Sequence, residues 1–315
     1  MIFNQRCIVS WVLVCLCTVS GALPAAEKKK YVVEMVLLEK PPFQYFAADG
    51  VEQDKKQHIR LEEMTESANR IVDEEAWFSE NGLHLGSSEK VPPKVAGIVD
   101  GHKLVRAIPG SDYLSLVYAD DQGEGRYLFL WSMESRRYAY GFDFGSYLYA
   151  PGDPEVEKQV IVQSIDWVVV RESVLYISHS HKTYADSSRG MNAYITAIDL
   201  NSRKLLWRSD PLVSNAANFD VVGNTIISGY GFSAEPDYLY LLDTSNGRQI
   251  ERIALRTGPQ YIISKDDRIF VRTYNRDYVF RVIDPQAVSE EPLQEQPSEI
   301  QEDPRQEREN GKPNT

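Results

Sequence analysis

Two histidines separated by one residue are the clearest candidates for metal chemistry in the sequence. His179-Ser180-His181 follows a run of β-prone residues, and side chains two apart on a strand point to the same face. Two imidazoles on one face could share a metal ion, and Asp186 could add a carboxylate from the loop beyond. The alternative is that His179 continues the apolar face of its strand while His181 begins a solvated loop. No third ligand is identified by spacing.

A second polar run, residues 120–125, has the spacing of a calcium loop. Asp120, Gln122 and Glu124 alternate, and a glycine stands at the sixth position, as it does in such loops. The twelfth position holds Trp131 instead of glutamate. The same residues are therefore also explained as a polar hairpin between two strands.

Four aromatic residues alternate with small ones further along the chain. Tyr138, Tyr140, Phe142 and Phe144 are separated by alanine, glycine and aspartate, which predicts one aromatic strand face. Such a face fills the core of a sheet, because aromatic rings bury large areas. A stacking surface for sugars or peptides is the alternative.

The first 26 residues have the composition of a secretory signal. Arg6 precedes the apolar stretch 8–19, and small residues suited to cleavage follow at 20–22 and 23–26. The apolar stretch is shorter than the roughly 20 residues that a membrane span needs; a retained N-terminal anchor is the alternative. We therefore predict an exported chain, periplasmic or extracellular, without a transmembrane span in its mature form.

Cysteine and charge exclude several classes of function. Cys7, Cys15 and Cys17 all lie in the predicted signal, so the mature chain would have no disulfide, thiolate metal site or cysteine nucleophile. The net charge of −12 disfavours a nucleic-acid partner, because an acidic surface repels phosphates. Residues 285–315, rich in Pro, Glu and Gln, are predicted to be a disordered acidic tail.

Between signal and tail, the chain divides into a preface and a β-rich region. The preface, 27–95, combines a β-prone strand at 31–38 with apolar residues spaced by three or four over 61–78. That spacing predicts one amphipathic helix in a mixed α/β segment. From 96 to 284, short alternating strands are separated by turn residues, which predicts an all-β domain.

The β-rich region matches itself at an interval of 44 residues. Residues 194–209 align with 238–253, and each copy has a strand, an aspartate (Asp199 or Asp243), a polar turn and a second strand. Repeats of this length are typical of β-propeller blades. We predict a β-propeller with about four to six blades of antiparallel sheet, preceded by the small α/β segment. The strand at 31–38 is expected to pair with the last blade and close the ring.

The repeat resembles that of the quinoprotein-like β-propellers, the PQQ-like repeat family. The segment 197–207 ends, like the blades of that family, in an aspartate, a turn and a tryptophan, Trp207. The second copy keeps Asp243 and the turn glycine, Gly247, but has Glu251 in place of the tryptophan. In the family that tryptophan packs between blades. The resemblance therefore implies such a contact for Trp207 and a weaker, edge-like contact at position 251.

The resemblance also bears on function. Enzymatic members of the family are longer, bind pyrroloquinoline quinone with calcium and commonly use a disulfide between adjacent cysteines, which this mature chain lacks. The chain is more similar to the non-enzymatic scaffolds of the family, so we predict no cofactor. We expect a scaffold that binds a protein or an envelope component. The alternative is an enzyme on the same scaffold, either a cofactor-dependent dehydrogenase or a metal-assisted hydrolase or lyase that uses His179 and His181.

Overall fold

The computed structural model describes residues 34–38, 58–69, 73–83, 91–121, 123–147, 162–182, 190–232 and 234–283. The predicted signal and tail lie outside these residues, and both stay predictions. Within the described part of the chain, no helix is long and apolar enough to cross a membrane.

Strands dominate the described residues. The first part of the chain contains β1 (Met35–Leu37), β2 (Arg60–Ala68), helix α1 (Glu74–Glu80) and β3 (Ile98–Val99). The next strands are β4 (His102–Pro109), β5 (Tyr113–Ala119), β6 (Gly125–Ser132), β7 (Arg137–Asp143), β8 (Ser164–Arg171), β9 (Val174–Ser180), β10 (Tyr194–Asp199) and β11 (Lys204–Arg208). The last are β12 (Asp220–Val222), β13 (Thr225–Tyr230), β14 (Tyr238–Asp243), β15 (Gln249–Ala254), β16 (Pro259–Lys265), β17 (Arg268–Thr273) and β18 (Arg276–Ile283). A short 3-10 helix, Gly145–Tyr147, follows β7.

The strands form four sheets, each built on an up-and-down antiparallel meander. The first sheet contains β4–β7, with β3 beyond β4 and β1 beyond β7. The second contains β8–β11, the third β12–β15, and the fourth β16–β18 followed by β2. Because β4, β8, β12 and β16 all line one cavity, the sheets lie around a common axis. The fold is a β-propeller, as the sequence predicted.

Consecutive sheets pack face to face through apolar side chains. Three hydrophobic clusters join the first sheet to the second, the second to the third, and the third to the fourth. The cluster at the first junction contains Leu128 and Ile177, that at the second contains Trp207 and Tyr240, and that at the third contains Ile227 and Phe280. Each sheet is thus buried by its neighbours, as expected for repeats that cannot cover their own faces.

Two stretches, 73–83 and 91–99, cover the two sheet faces that remain at the ends of this series. In the first stretch, Trp77 of α1 and Leu83 pack with a buried side chain of β16 in the fourth sheet. In the second stretch, Val95 and Val99 pack against aromatic rings of β5 and β6 in the first sheet. Residues of the preface therefore occupy the faces through which the fourth and first sheets would otherwise meet.

Strand β2 corrects the prediction of a helix over 61–78. Residues 60–68 pair antiparallel with β18 along the whole strand. The outer edge of β18 offers backbone donors and acceptors, and pairing with them outweighs the helical spacing of a few apolar residues. The helix that forms, α1, is confined to 74–80, and the carboxylate of Asp73 caps it by accepting the N–H of Ala76 at 2.8 Å.

Strand β1 also differs from expectation. It lies within the predicted strand 31–38 but pairs in parallel with β7 of the first sheet. The backbone N–H of Leu38 donates to the backbone carbonyl of Asp143 at 3.2 Å. The Ser146 hydroxyl donates to the Leu38 carbonyl at 2.6 Å. The fourth sheet is completed by β2 instead, which occupies the edge expected for β1.

The aromatic alternation of β7 does not lie on one face. Tyr140 and Phe142 face the second sheet, whereas Tyr138 lies in the cluster on the opposite face. The register between β6 and β7 shifts between Leu130 and Trp131. Such an irregularity changes the face to which the following side chains point. The rings pack in two cores, so the described strand has no single aromatic stacking surface.

Candidate functional site

The first strands of the four sheets enclose a cavity of about 300 Å³, here called the axial cavity. It is lined by β4, β5, β8, β12, β16 and residues next to them. Polar and apolar atoms contribute about equally to the lining. Its polar side chains are Ser111, Tyr113, Ser115, Asn218, Asp220 and Ser264.

Two polar side chains of the cavity join the third sheet to the fourth. The Asn218 amide donates to the carbonyl of Ile262 and accepts the Ile262 N–H at 2.9 Å. One oxygen of Asp220 accepts the N–H of Ser264 at 3.1 Å and also its hydroxyl. The other oxygen accepts the N–H of Val221 at 2.7 Å. These bonds fix the inner strands β12 and β16 relative to each other.

Aromatic side chains form part of the cavity wall. Tyr113 packs edge-on against Tyr140 with the ring centroids 5.9 Å apart. Burial raises the pKa of Tyr113, and the adjacent Tyr140 adds to that effect, so the phenol stays neutral at physiological pH. Trp167 is half-buried and packs with the clusters on both sides of the second sheet.

No local sequence pattern identifies the polar residues of the axial cavity, Asn218, Asp220 and Ser264. Asn218 and Ile262 are 44 residues apart, as are Asp220 and Ser264. This interval is the repeat interval, so equivalent positions of neighbouring blades bond to each other. Extending the repeat alignment to the inner strands would have pointed to these positions.

The predicted histidine pair is buried. His179 lies in β9 and is 1% exposed, and its ring packs against Phe144 at 4.9 Å and Tyr147 at 5.3 Å. His181 is 4% exposed, so it does not begin a solvated loop. Its backbone N–H donates to the Asn192 side chain at 2.8 Å, and the Asn192 amide donates back to its carbonyl at 3.1 Å. Tight packing surrounds both residues.

A buried cation lies close to this pair. Burial, followed by the charge of Arg208, lowers the pKa of His179 to about 3. The Arg208 guanidinium lies 3.7 Å above the ring of Tyr194, and burial lowers its pKa. The His179 ring is therefore neutral at physiological pH, and a metal ion there would meet the repulsion that already disfavours a proton. In the described ranges no three His, Cys, Asp or Glu residues are placed to hold a metal; Asp186 lies outside them.

The calcium-like run forms the hairpin between β5 and β6. The Asp120 N–H donates to the Glu124 carbonyl at 2.8 Å, and the Asp120 carboxylate accepts the Glu124 N–H at 3.0 Å. Trp131, at the twelfth position, is 4% exposed and belongs to the core. Gln122 is outside the described residues. The bonds around Asp120 are those of a polar turn.

The two repeat aspartates organise turns. Asp199 accepts the N–H groups of Asn201 at 3.0 Å and Ser202 at 3.2 Å. The hydrogen bond from the Ser202 side chain is the largest of the effects that lower the Asp199 pKa. Asp243 accepts the Ser245 N–H at 2.7 Å in the same way. Both carboxylates are engaged by the turns that follow them.

Trp207 and Gly247 connect the second sheet to the third. The Trp207 indole is fully buried and donates to the carbonyl of Thr244 at 3.0 Å. Gly247 has a φ of 73° and lies under the indole, where an added Cβ would be 2.6 Å from Trp207 Cζ3. Glu251 lies in the exposed outer strand β15. The tryptophan therefore occupies a contact between blades, and position 251 lies at an edge.

Several loop ends meet at one side of the propeller, here called the tip surface: Lys182, Asn215, Gly231–Phe232, Gly258 and Tyr274. Lys182 donates to the Asn215 carbonyl at 2.8 Å, and the Asn215 amide donates to the Gly231 carbonyl at 2.9 Å. A Cβ on Gly258 would lie 3.4 Å from that carbonyl, and the Tyr274 N–H donates to the Gly258 carbonyl at 3.2 Å. Tyr274 is 76% exposed at the end of the β17–β18 hairpin.

Carboxylates flank the tip surface. Glu235 accepts the hydroxyl of Tyr230, whose ring packs edge-on against Phe232 at 5.8 Å. Burial raises the pKa of Asp237, which lies beside Gly231 and Gly258. The surface therefore combines an exposed aromatic ring with two nearby carboxylates and with Lys182, whose ammonium pairs with Asp166 at 3.3 Å.

Comparison with known proteins identifies no close relative. No family model matches the chain, and no curated protein matches it. Solved structures similar to parts of it include BamB from Moraxella catarrhalis, 10% identical over 56% of this chain and 58% of BamB, with a TM-score of 0.34. Sqt1 from Saccharomyces cerevisiae is 10% identical over 58% of this chain and 47% of its own, with a TM-score of 0.39. A europium-containing methanol dehydrogenase is 13% identical over 49% of this chain and 24% of its own, with a TM-score of 0.32. At such scores, the assignment as a β-propeller rests on the four sheets themselves.

Proposed function

We propose that this chain is a non-enzymatic β-propeller that binds a protein or an envelope component through the tip surface. The observation that carries the proposal is the 76% exposure of Tyr274 on a tip held by backbone bonds to the neighbouring loop. Tyrosine is enriched among the residues that dominate binding energy at protein interfaces. A large exposed ring on a fixed hairpin provides contact area with little loss of conformational freedom.

The charge of the surface supports a basic partner. Glu235 and Asp237 lie beside the loops of the tip surface, the ammonium of Lys182 is paired with Asp166 at 3.3 Å, and the whole chain has a net charge of −12. Complementary charges accelerate encounter and select among partners. We therefore expect lysine or arginine residues around the part of the partner that contacts Tyr274.

The test compares capture by three forms of the purified protein. Immobilised wild type, Tyr274→Ala and Ile250→Ala are exposed to an envelope extract, and bound proteins are quantified by mass spectrometry. Ile250→Ala is the matched control, because it removes an exposed apolar side chain from β15, away from the tip surface. A partner should be retained by wild type and by the control and reduced about tenfold or more by Tyr274→Ala.

Two results would contradict the proposal. Equal capture by all three forms would show that the Tyr274 side chain does not contribute to partner binding. Turnover of a small substrate, or stoichiometric metal that is lost in His179→Ala, would favour the enzymatic alternative instead.

We also propose that the chain is exported and is a divergent relative of the quinoprotein-like propellers. Export is supported by the composition of residues 1–26, and the relationship by the repeat that carries Asp199, Trp207, Asp243 and Gly247. Mass spectrometry of the protein recovered from its native cells tests export: the mass should correspond to cleavage after residue 22 or 26. An uncleaved N-terminus would contradict it.

A further inference from the structure

The axial cavity has a lining that is about half apolar and half polar, and it contains one negative charge. Valines, isoleucines and Trp167 provide most of the apolar part. Asp220 is the single charged residue among the described residues that line the cavity. A volume of about 300 Å³ is at the lower end of the range for small-molecule sites. The cavity is therefore suited to a small group with an apolar body and one positive charge.

The Asp220 carboxylate has capacity for one more partner. Its oxygens accept the N–H of Val221 and both the N–H and the hydroxyl of Ser264. A carboxylate can accept about four hydrogen bonds. All three of these donors are neutral, so they hold the carboxylate in place without neutralising its charge.

Charged residues near the cavity do not line it. Asp112, Arg171 and Lys265 follow lining segments in the chain and are exposed. The guanidinium of Arg171 donates to the carbonyl of Val221 at 2.9 Å, but Arg171 is absent from the lining. The ligand would therefore meet the charge of Asp220 in a lining whose other side chains are neutral, while the guanidinium of Arg171 is bonded outside that lining.

We propose that the axial cavity is a binding site for a primary alkylammonium group. Asp220 pairs with the ammonium, and the half-buried Val169 and Val170 of β8 cover the alkyl chain. Trp167 adds an aromatic wall, which attracts cations through the face of its ring. The ammonium belongs either to a free amine or to a lysine side chain that a bound protein inserts. The proposal does not depend on the tip surface, since the two sites are formed by different residues.

The test uses defined probes and a reporter in the wall. The protein is labelled with 5-fluorotryptophan, and the Trp167 fluorine resonance is assigned with Trp167→Phe. n-Butylammonium should shift this resonance in a saturable way, whereas 1-butanol, which has the same chain without the charge, should bind about tenfold more weakly. The peptide acetyl-Gly-Lys-Gly-amide tests the second source. A response to the amine alone, the peptide alone or both supports the site and identifies its ligand class.

Two variants separate binding from folding. Asp220→Asn keeps an oxygen that can accept from Ser264 but removes the charge, so n-butylammonium affinity should fall about tenfold. Ser115→Leu fills the cavity from β5 and should abolish the shift. Dispersed fluorine resonances and a single cooperative unfolding transition in Asp220→Asn show that the fold is intact, even where the loss of one accepted bond lowers its midpoint. The proposal is overturned if neither probe shifts the Trp167 resonance, if 1-butanol binds as well as the amine, or if Asp220→Asn binds with wild-type affinity. Failure here leaves the Tyr274 experiment unaffected.

Discussion

Gly247 provides a quantitative test of the contact between the second and third sheets. Its φ of 73° lies in the left-handed region, and an added Cβ would stand 2.6 Å from Trp207 Cζ3. In Gly247→Ala, the backbone conformation alone costs about 1–2 kcal/mol. The Trp207 indole is fully buried and bonded to Thr244, so it cannot move away freely. The resulting overpacking adds about 1–3 kcal/mol, for a total loss of about 2–5 kcal/mol.

A double-mutant cycle separates these two contributions. In Trp207→Leu the ring atoms nearest to position 247 are gone, so adding Gly247→Ala should cost only the backbone part, about 1–2 kcal/mol. The coupling between the two positions should therefore be about 1–3 kcal/mol. Gly101→Ala is the matched control, since Gly101 has a φ of 88° and nothing within 4 Å of an added Cβ. Its cost should equal the backbone part alone.

Urea unfolding of the four proteins of the cycle and the control provides the assay. Free energies of unfolding are compared at equal slopes, because a changed slope would indicate altered compactness. The reasoning is refuted if Gly247→Ala costs the same with and without the tryptophan, within about 0.5 kcal/mol. It is also refuted if Gly101→Ala is as damaging as Gly247→Ala.

Three further predictions concern the N-terminal elements and the buried histidine. Trp77→Ala should lower the free energy of unfolding by about 3–5 kcal/mol, because Trp77 is 3% exposed between α1 and the fourth sheet; an effect below about 1 kcal/mol in urea unfolding would contradict this packing. Deleting residues 1–69, which removes β1 and β2, should abolish cooperative unfolding. Deleting 1–57, which removes β1 but keeps β2, should lower the unfolding midpoint and leave a single cooperative transition; equal behaviour of the two proteins in calorimetry would argue against closure by β2. The pKa of His179 is about 3 in the folded protein, whereas its ordinary value is 6.5. Between pH 6.5 and pH 3 the imidazole is therefore protonated in the unfolded chain and neutral in the folded one. The free energy of unfolding should fall as the pH falls through this range. His179→Phe should remove up to about 1.4 kcal/mol of this loss per pH unit, and an unchanged pH slope in urea titrations would refute it.

The repeat and the local patterns were enough to predict the fold. Alternating apolar residues bounded by turn residues predicted short strands throughout 96–284, and strands such as β5 (Tyr113–Ala119) and β14 (Tyr238–Asp243) are found there. The 44-residue interval predicted sheets that stack on one another. These features are local or periodic, so they can be read directly from the sequence.

Strand β2 could not be predicted in the same way. It is mostly exposed at the edge of its sheet, so the alternation of buried and exposed residues that identifies a strand is missing. Leu61, Met64 and Ala68 have helical spacing, yet the partner that decides their conformation is β18, more than 200 residues away. Long-range pairing of this kind overrides local preference.

The axial residues could not be recognised from the sequence, because Asn, Asp and Ser are common in loops and strands. Asn218, Asp220 and Ser264 belong to no catalytic motif, and they form a site only through hydrogen bonds between two neighbouring blades. The histidines were chosen for the opposite reason, since their type is distinctive. The structure places His179 between aromatic rings and beside Arg208, and no local pattern shows that environment.

The fourth sheet contains strands from both ends of the described chain, and this arrangement affects the order of folding. Residues 73–83 cover the outer face of the fourth sheet, and β2 supplies its last strand. Both precede the β4–β7 meander of the first sheet in sequence, so the fourth sheet is completed only when the N-terminal region meets the last part of the chain. Such a contact has a large loop-closure cost and forms slowly. Until it forms, the edge of β18 and the faces of Ile263 and Phe270 lack their covers, so the incomplete propeller is the state most exposed to aggregation.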